Sequence, residues 1–418
     1  MRKVFFSIFL VLGLFASSQD LKSQYEEALG AYKSLPLDSA KKVAENYLET
    51  VKQGNEPFFQ VKAYFLLAFI CSKTERFGDA VIYYLEAARL GEIYGTDESN
   101  KDLISTYKNL AFILGNYKHY ELAHRFIDQG IELARRTNNS KKVVDLTMIK
   151  ISDILEEEKF SETILAIENL HSEFGDEINL NSLVILKNME GIAHKKMGNL
   201  ELARRSYEFI LTNEPVDQEI YSYALHNIGM LHYDLKELDM AIQYFKEDIE
   251  FKSKHGLRTE LILSLKDLGE TYHEIGNNEL ALDYLSEAEQ IERSEYTNHP
   301  SNHELYKLTS EVYEAMGNTE KALEYERIYT QKLEAFIAQQ KEIEELDKKH
   351  NIKLLTERYF DLLAANEKRK QTERIATFGI GGSTMLFVII LSMIYYRQRR
   401  VKTSIQREIR QIEALSEV

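Results

Sequence analysis

The 418-residue chain has no tryptophan, only four prolines and a single cysteine. One cysteine excludes an intramolecular disulfide framework. Cys71 falls on an apolar face, where a buried thiol is expected rather than a nucleophile. So few prolines, with 25 tyrosines, point to a mostly helical protein, and Pro36, Pro57, Pro215 and Pro300 all fall at expected turns. The familiar catalytic signatures are missing too: no G-x-x-x-x-G-K-[ST] phosphate loop, no H-E-x-x-H helix, no G-x-S-x-G elbow and no paired C-x-x-C. No enzymatic activity and no cofactor are therefore expected. His299 and His303 lie four apart around Pro300 but have no cluster of companions, so a metal site is not expected. Positive charge is in short supply, at 52 Lys and Arg against 67 Asp and Glu. The net charge of −15 excludes nucleic-acid binding for the bulk of the protein.

What is present begins with two apolar runs. Residues 1–18, MRKVFFSIFLVLGLFASS, have a basic start at Arg2 and Lys3, an apolar stretch over 4–15 and small residues at Ala16, Ser17 and Ser18. This order reads as a secretory signal peptide. Residues 375–396, IATFGIGGSTMLFVIILSMIYY, carry no charge. As a helix they would be about 33 Å long, enough for a bilayer core, with Tyr395 and Tyr396 as interfacial anchors. The expected topology is a single pass through the inner (cytoplasmic) membrane, with 19–374 outside and 397–418 in the cytoplasm. Gly379 and Ser383 within this run form a small-xxx-small pair compatible with a homodimer.

Between the runs lies a repeat. MGNLELA (197–203), IGNNELA (275–281) and MGNTEKA (316–322) share Gly-Asn followed by an alanine four residues after the Asn. Aligned on that alanine, the chain gives Ala40, Ala80, Ala123, Thr163, Ala203, Ala241, Ala281 and Ala322, at intervals of 38 to 43 residues. Twelve residues before each anchor is a small residue: Ala28, Ala68, Ala111, Ser152, Gly191, Gly229, Gly269 and Ser310. Small residues at both places let two antiparallel helices approach closely. Gly is expected to end the first helix in the left-handed conformation and Asn to cap the second. Large residues four after the anchors (Tyr84, Ile127, Ile167, Tyr207, Phe245, Leu285) are expected to fill the space between hairpins. A fixed period of this length predicts a solenoid stabilised by stacking on neighbours.

At these residues, and most fully in LKDLGETYHEIGNNELALDYLSEAEQ (265–290), the chain resembles the tetratricopeptide repeat family. The resemblance implies an all-α solenoid of about eight helical hairpins over 19–330, with a period near 40 instead of the usual value of about 34. It implies binding of a protein or peptide and no chemistry of the fold's own. It also implies that the first helix of each hairpin lines a concave groove. The position three before each small residue should face that groove, and it holds Phe65, Lys108, Ile149, Asn188, His226, Lys266 and Lys307. Lys108, Asn188, His226, Lys266 and Lys307 form a ladder of donors suited to an acidic or carboxylate-bearing peptide.

From Thr319 to Glu373 there is neither proline nor glycine, so one long helix is expected, with 331–374 a solvated stalk. The tail 397–418 carries Ile405, Ile409, Ile412 and Leu415 at helical spacing, after Val401. It is read either as a contact helix that meets a cytoplasmic signalling protein or a second copy, or as a plain stop-transfer tail. The layout resembles the sensory half of bacterial sensor histidine kinases and LuxR-type regulators, without their output domain. The expected function is a membrane-anchored sensor or adaptor. The alternatives are an envelope scaffold and a regulator that has lost its output domain.

Overall fold

A computed structural model describes residues 18–375, apart from 55, 75, 95–96, 214–216 and 296–301, together with Met393. Among the described residues the regular structure is helical. In chain order the helices are α1 (Ser18–Ser34), α2 (Leu37–Gln53), α3 (Pro57–Lys73), α4 (Phe77–Tyr94), α5 (Asp97–Asn116), α6 (Tyr120–Arg136), α7 (Ser140–Glu156) and α8 (Phe160–Phe174). A short 3-10 turn (Gly175–Glu177) follows, then α9 (Leu180–Lys196), α10 (Leu200–Thr212), α11 (Gln218–Asp234) and α12 (Leu238–His255). The last four are α13 (Arg258–Glu274), α14 (Asn278–Glu295), α15 (Asn302–Ala315) and α16 (Thr319–His350). They pair into eight consecutive hairpins, each packed on the next. Most helices are 17 or 18 residues long and most links between them two or three residues, which accounts for the period near 40.

The repeat anchors fix this geometry. Every anchor is the fourth residue of its hairpin's second helix, and the anchors Ala40 through Ala281 are fully buried. The small residues twelve before them lie in the first helix, where the two helices cross. A Cβ added at Gly191 would overlap the ring of Tyr207. One at Gly229 would come within 2.7 Å of Phe245, and one at Gly269 within 2.9 Å of Leu285. Tyr207, Phe245 and Leu285 therefore fill the crossing within their own hairpin and not the space between hairpins, whereas the Tyr84 hydroxyl reaches Asn109 of the next hairpin. The reason is directional: a helical side chain covers the turn that precedes its own Cα, which here faces the partner helix. In the last hairpin the Ser310 hydroxyl donates to the Ala322 carbonyl, 2.8 Å away, across the same crossing.

The turn inside each of the last six hairpins is equally uniform. Five residues before the anchor the backbone is left-handed at Lys118, Glu158, Gly198, Lys236, Gly276 and Gly317, with φ between 59° and 81°. The next amide then reaches back to close the helix end, as Asn277 does to the Tyr272 carbonyl at 2.9 Å. Three turns hold this shape without glycine, at a cost of about 1–2 kcal/mol for a side chain in that conformation, so packing of the hairpin imposes it. The expected Asn cap forms at Asn277 and Asn318, which accept from the amides of Leu280 and Lys321. Asn199 makes no such bond.

Three expectations change at the end of the array. The helix from Thr319 is not continuous to Glu373. It stops at His350, Asn351 turns left-handed (φ 47°), and a second helix covers 352–375. Asparagine visits this region more readily than most residues, so a break needs neither proline nor glycine. Nor does α16 stand clear of the array, because it reaches back to α4. Finally, the chain divides into two units between Lys353 and Leu354. In the second unit Thr356, Tyr359 and Phe360 are buried, which a fully solvated stalk would not show.

The expected signal peptide, the span at 375–396 (save Ile375 and Met393) and the tail with Ile405, Ile409, Ile412 and Leu415 lie outside the described residues. Among the described residues no helix is long and apolar enough to cross a membrane.

The crossing makes a direct prediction. Gly191→Ala should destabilise the protein by about 1–3 kcal/mol through overpacking, even though alanine is the better helix former. Adding Tyr207→Leu should recover most of the loss, because the equivalent positions of the third hairpin hold Ala111 and Ile127. Urea unfolding of the two variants decides this.

Candidate functional site

The helices that begin the third, fourth and fifth hairpins, α5, α7 and α9, enclose a cavity of about 700 Å³. Its lining comes mostly from first helices of hairpins, with Tyr120 added from α6. Helix α5 contributes Phe112 and Gly115, α7 contributes Met148, Ile149, Asp153 and Glu156, and α9 contributes Ile185 and Met189. Phe112 is 61% exposed although it is a large aromatic in mid-helix. Lys118 and Asp145 also line the cavity, and Asp145 is paired with Lys142 at 3.5 Å.

One corner of this cavity is electrostatically unusual. Asp153 lies against Gly115, where a Cβ would come within 3.2 Å of its Oδ1, so the close approach depends on glycine. Its Oδ2 is buried with no hydrogen-bond partner, and the same holds for His124 Nε2 and Glu157 Oε2. The imidazole nitrogen stands 3.8 Å from Asp153 and 3.9 Å from Glu157. Burial, then Glu157 and Glu156, push the Asp153 carboxyl up to about 7. Burial pushes the His124 imidazole down, against the pull of Glu157. The corner therefore holds a carboxyl poised near neutrality beside a neutral imidazole. No group of three His, Cys, Asp or Glu side chains among the described residues has the arrangement to hold a metal ion.

A second polar cluster lies in the sixth and seventh hairpins. Asp248 of α12 is fully buried and accepts from Ser222 (2.9 Å), Lys252 (2.7 Å) and Ser264 (2.6 Å). Lys252, 2% exposed, also donates to Ser264 at 2.6 Å. His226 sits between the acids, with Nε2 3.3 Å from Asp267 and Nδ1 3.8 Å from Asp248. Burial and the Lys252 charge drive its imidazole down to about 3, so it stays neutral. A carboxylate with three donors, one of them a cation, is satisfied in its burial, and this cluster is a tie between α11, α12 and α13.

The ladder expected from the sequence falls partly into that tie. His226 is buried and neutral, and so offers no cationic donor. Lys266 is engaged by Asp267 at 3.0 Å; burial works against its charge, the Asp267 carboxylate favours it, and the net shift is upward. Asn188 accepts from the Asn227 amide at 3.0 Å. Lys307 stands half exposed, 3.8 Å from Glu311, and Lys108 is exposed. Ile149 lines the cavity, and Phe65 stacks on Phe69. The structure does not bring the five donors together as one free row. The sequence reading also missed Asp153, Glu156 and Glu157. The signal was available: ISDILEEEK puts four carboxylates in the last turns of a helix and just beyond it, where the helix dipole disfavours them.

Two predictions follow from these clusters. Lys252→Met should cost about 3–5 kcal/mol in urea unfolding, because it strands a buried carboxylate; a loss under about 1 kcal/mol would mean that the serines alone suffice. For Asp153 the sign comes from proton uptake. The folded carboxyl holds its proton up to about pH 7, whereas the ordinary value is 3.8. Folding thus binds a proton across this window, and stability falls as pH rises through it. Asp153→Asn should gain on the natural protein between pH 4 and pH 7, and the gain should level off above that.

Comparison with known proteins agrees with the fold. A tetratricopeptide repeat family model matches residues 61–92, in α3 and α4, and residues 222–255, in α11 and α12. No curated protein sequence matches the chain. Among solved structures, the apo form of the quorum sensor NprR from B. thuringiensis is 16% identical with a TM-score of 0.55, covering 76% of this chain and all of its own. The apo form of RapI is 13% identical at 0.51, covering 65% of this chain and 97% of its own. A signal-transduction ATPase from Pyrococcus horikoshii with a tetratricopeptide repeat sensor is 15% identical at 0.53, covering 79% of this chain but 49% of its own. At such identities the likeness is one of fold. Two stretches of the chain match tetratricopeptide repeats, and among the described residues the hairpins form an all-helical solenoid of that type.

Proposed function

We propose that this protein is a membrane-anchored receptor or adaptor without enzymatic activity. Its exported repeat array takes up a peptide or protein on the inner face and passes the bound state to a cytoplasmic partner through the tail. The observation that carries the binding half is the cavity between α5, α7 and α9, open beside an exposed Phe112. Tetratricopeptide-type arrays serve in a quorum sensor and in a sensor-bearing ATPase among the structures of like fold, which fits a sensory role by analogy only. The topology rests on the sequence: the signal-like residues 1–18, the uncharged run 375–396 and the basic residues Arg397, Arg399, Arg400 and Lys402 that follow it.

The relay half makes its own prediction. Photo-crosslinking probes in place of Ile405 and Ile409, in native membranes, should yield an adduct with a cytoplasmic signalling protein. Truncation after Lys402 should then silence the response while leaving capture by the array intact. Adducts with envelope proteins alone, and a truncated protein that behaves as the full chain does, would instead make it an envelope scaffold on a simple anchor.

A further inference from the structure

The geometry points to a basic ligand: the cavity between α5, α7 and α9 takes a Lys or Arg side chain of the bound peptide, with a neighbouring apolar residue of that peptide seated on Phe112. This deepens the peptide-binding reading above and rests on it. It also reverses the ligand charge that the donor ladder suggested.

The first argument is electrostatic. Helix α7 ends at Glu156 with Asp153 in its last turn, and Glu157 and Glu158 come directly after. Four carboxylates thus gather at the negative end of a helix dipole, where cations are the favoured residues. Two of them face the cavity, Asp153 and Glu156. The groups around them leave the charge uncancelled. From α6, Tyr120 and a neutral His124 face the site, and Asp128 adds a further acid that Lys150 engages at 2.7 Å. Lys159, ahead of α8, is held by Glu157 at 2.8 Å. Lys142 is held by Asp145 at 3.5 Å, and Lys118 is exposed at the cavity wall. Helix α9 offers Ser182, Ile185 and Met189 to the cavity, with no charge among them.

The second argument is the condition of Asp153. Its side chain lines the cavity with 15% of its surface exposed, and burial with Glu157 and Glu156 disfavours its charge, which a cation at the cavity wall would restore. The cavity wall beside it, with Phe112, Met148, Ile149, Ile185 and Met189, is apolar. Charge complementarity and an apolar shelf next to it describe a basic residue flanked by Leu, Ile, Met or Phe. A bound cation would favour the ionised carboxyl, so binding should expel the Asp153 proton and strengthen from pH 6 to pH 8.

The test uses the full chain in detergent on an array of immobilised random 12-residue peptides. The expected result is enrichment of Lys or Arg beside an apolar residue among the bound peptides, more marked at pH 8 than at pH 6. Asp153→Asn and Glu156→Gln should each weaken the best of these peptides about tenfold at pH 8, in solution anisotropy with the labelled peptide. Asp153→Asn is expected to fold more stably than the natural protein, so its loss of binding cannot be put down to misfolding. Peptides that bind with no basic preference, or a preference that both substitutions leave in place, would overturn the basic ligand and spare the peptide-binding reading. Capture of no peptide at all would overturn both.

Discussion

The array depends on one contact repeated along it: a large side chain of the second helix lying where the first helix has a small residue or none. At Gly191, Gly229 and Gly269 the partner ring or branch occupies the space that a Cβ would need. That approach sets the distance between the two helices and so the shape of the hairpin. The rest follows from it. The left-handed turn five residues before the anchors from Ala123 to Ala322 is the shape that joins two helices held this close, which is why Lys118, Glu158 and Lys236 adopt it without being glycine. Stacking then buries the outer faces of the hairpins, almost wholly between neighbours.

Upon this regular frame the polar groups divide into two kinds. The cluster around Asp248 and Lys252 has its hydrogen bonds made within the protein, and it binds two hairpins together at fixed register. The corner around Asp153, His124 and Glu157 has buried polar atoms with none. Both consist of ionisable groups with little exposure, yet in the first the central carboxylate is fully bonded and only His226 Nδ1 lacks a partner, while in the second the Asp153 carboxyl, His124 and Glu157 each leave an atom without one. In a fold whose chemistry lies in what it holds, the incomplete cluster beside a cavity is the place where a ligand has something to contribute. Of the donors anticipated along the groove, His226 and Lys266 belong to the first kind, and for that reason they are poor candidates for recognition.

The fold was legible because its rule is local and periodic. The eight anchors and the eight small residues before them could be read off the spacing, and each lies on the helix expected of it. Two things resisted the same treatment. The break at Asn351 leaves no mark in composition, since asparagine there has neither the rigidity of proline nor the freedom of glycine. The cavity joins Phe112, Asp153 and Ile185, residues more than 30 positions apart that meet only when three hairpins have stacked. Periodicity says which face of a helix is turned inward. It does not say which inward side chains pair with one another, and His226 and Lys266 were misjudged on that account.

The crossing residues also differ in size from hairpin to hairpin: Ala68 with Tyr84, Ala111 with Ile127, Gly191 with Tyr207, Gly229 with Phe245, Gly269 with Leu285. Arrays of near-identical units are prone to misassembly, in which a helix docks on the wrong partner and traps the chain. Here Tyr207, whose ring fills the space of a Cβ at Gly191, has no such room over the serine of another hairpin, and a leucine leaves a void where a tyrosine belongs. The differences in bulk act as keys, rejecting mismatched partners while the chain is still folding. Drift in sequence among the repeats thus preserves the correct order of the array.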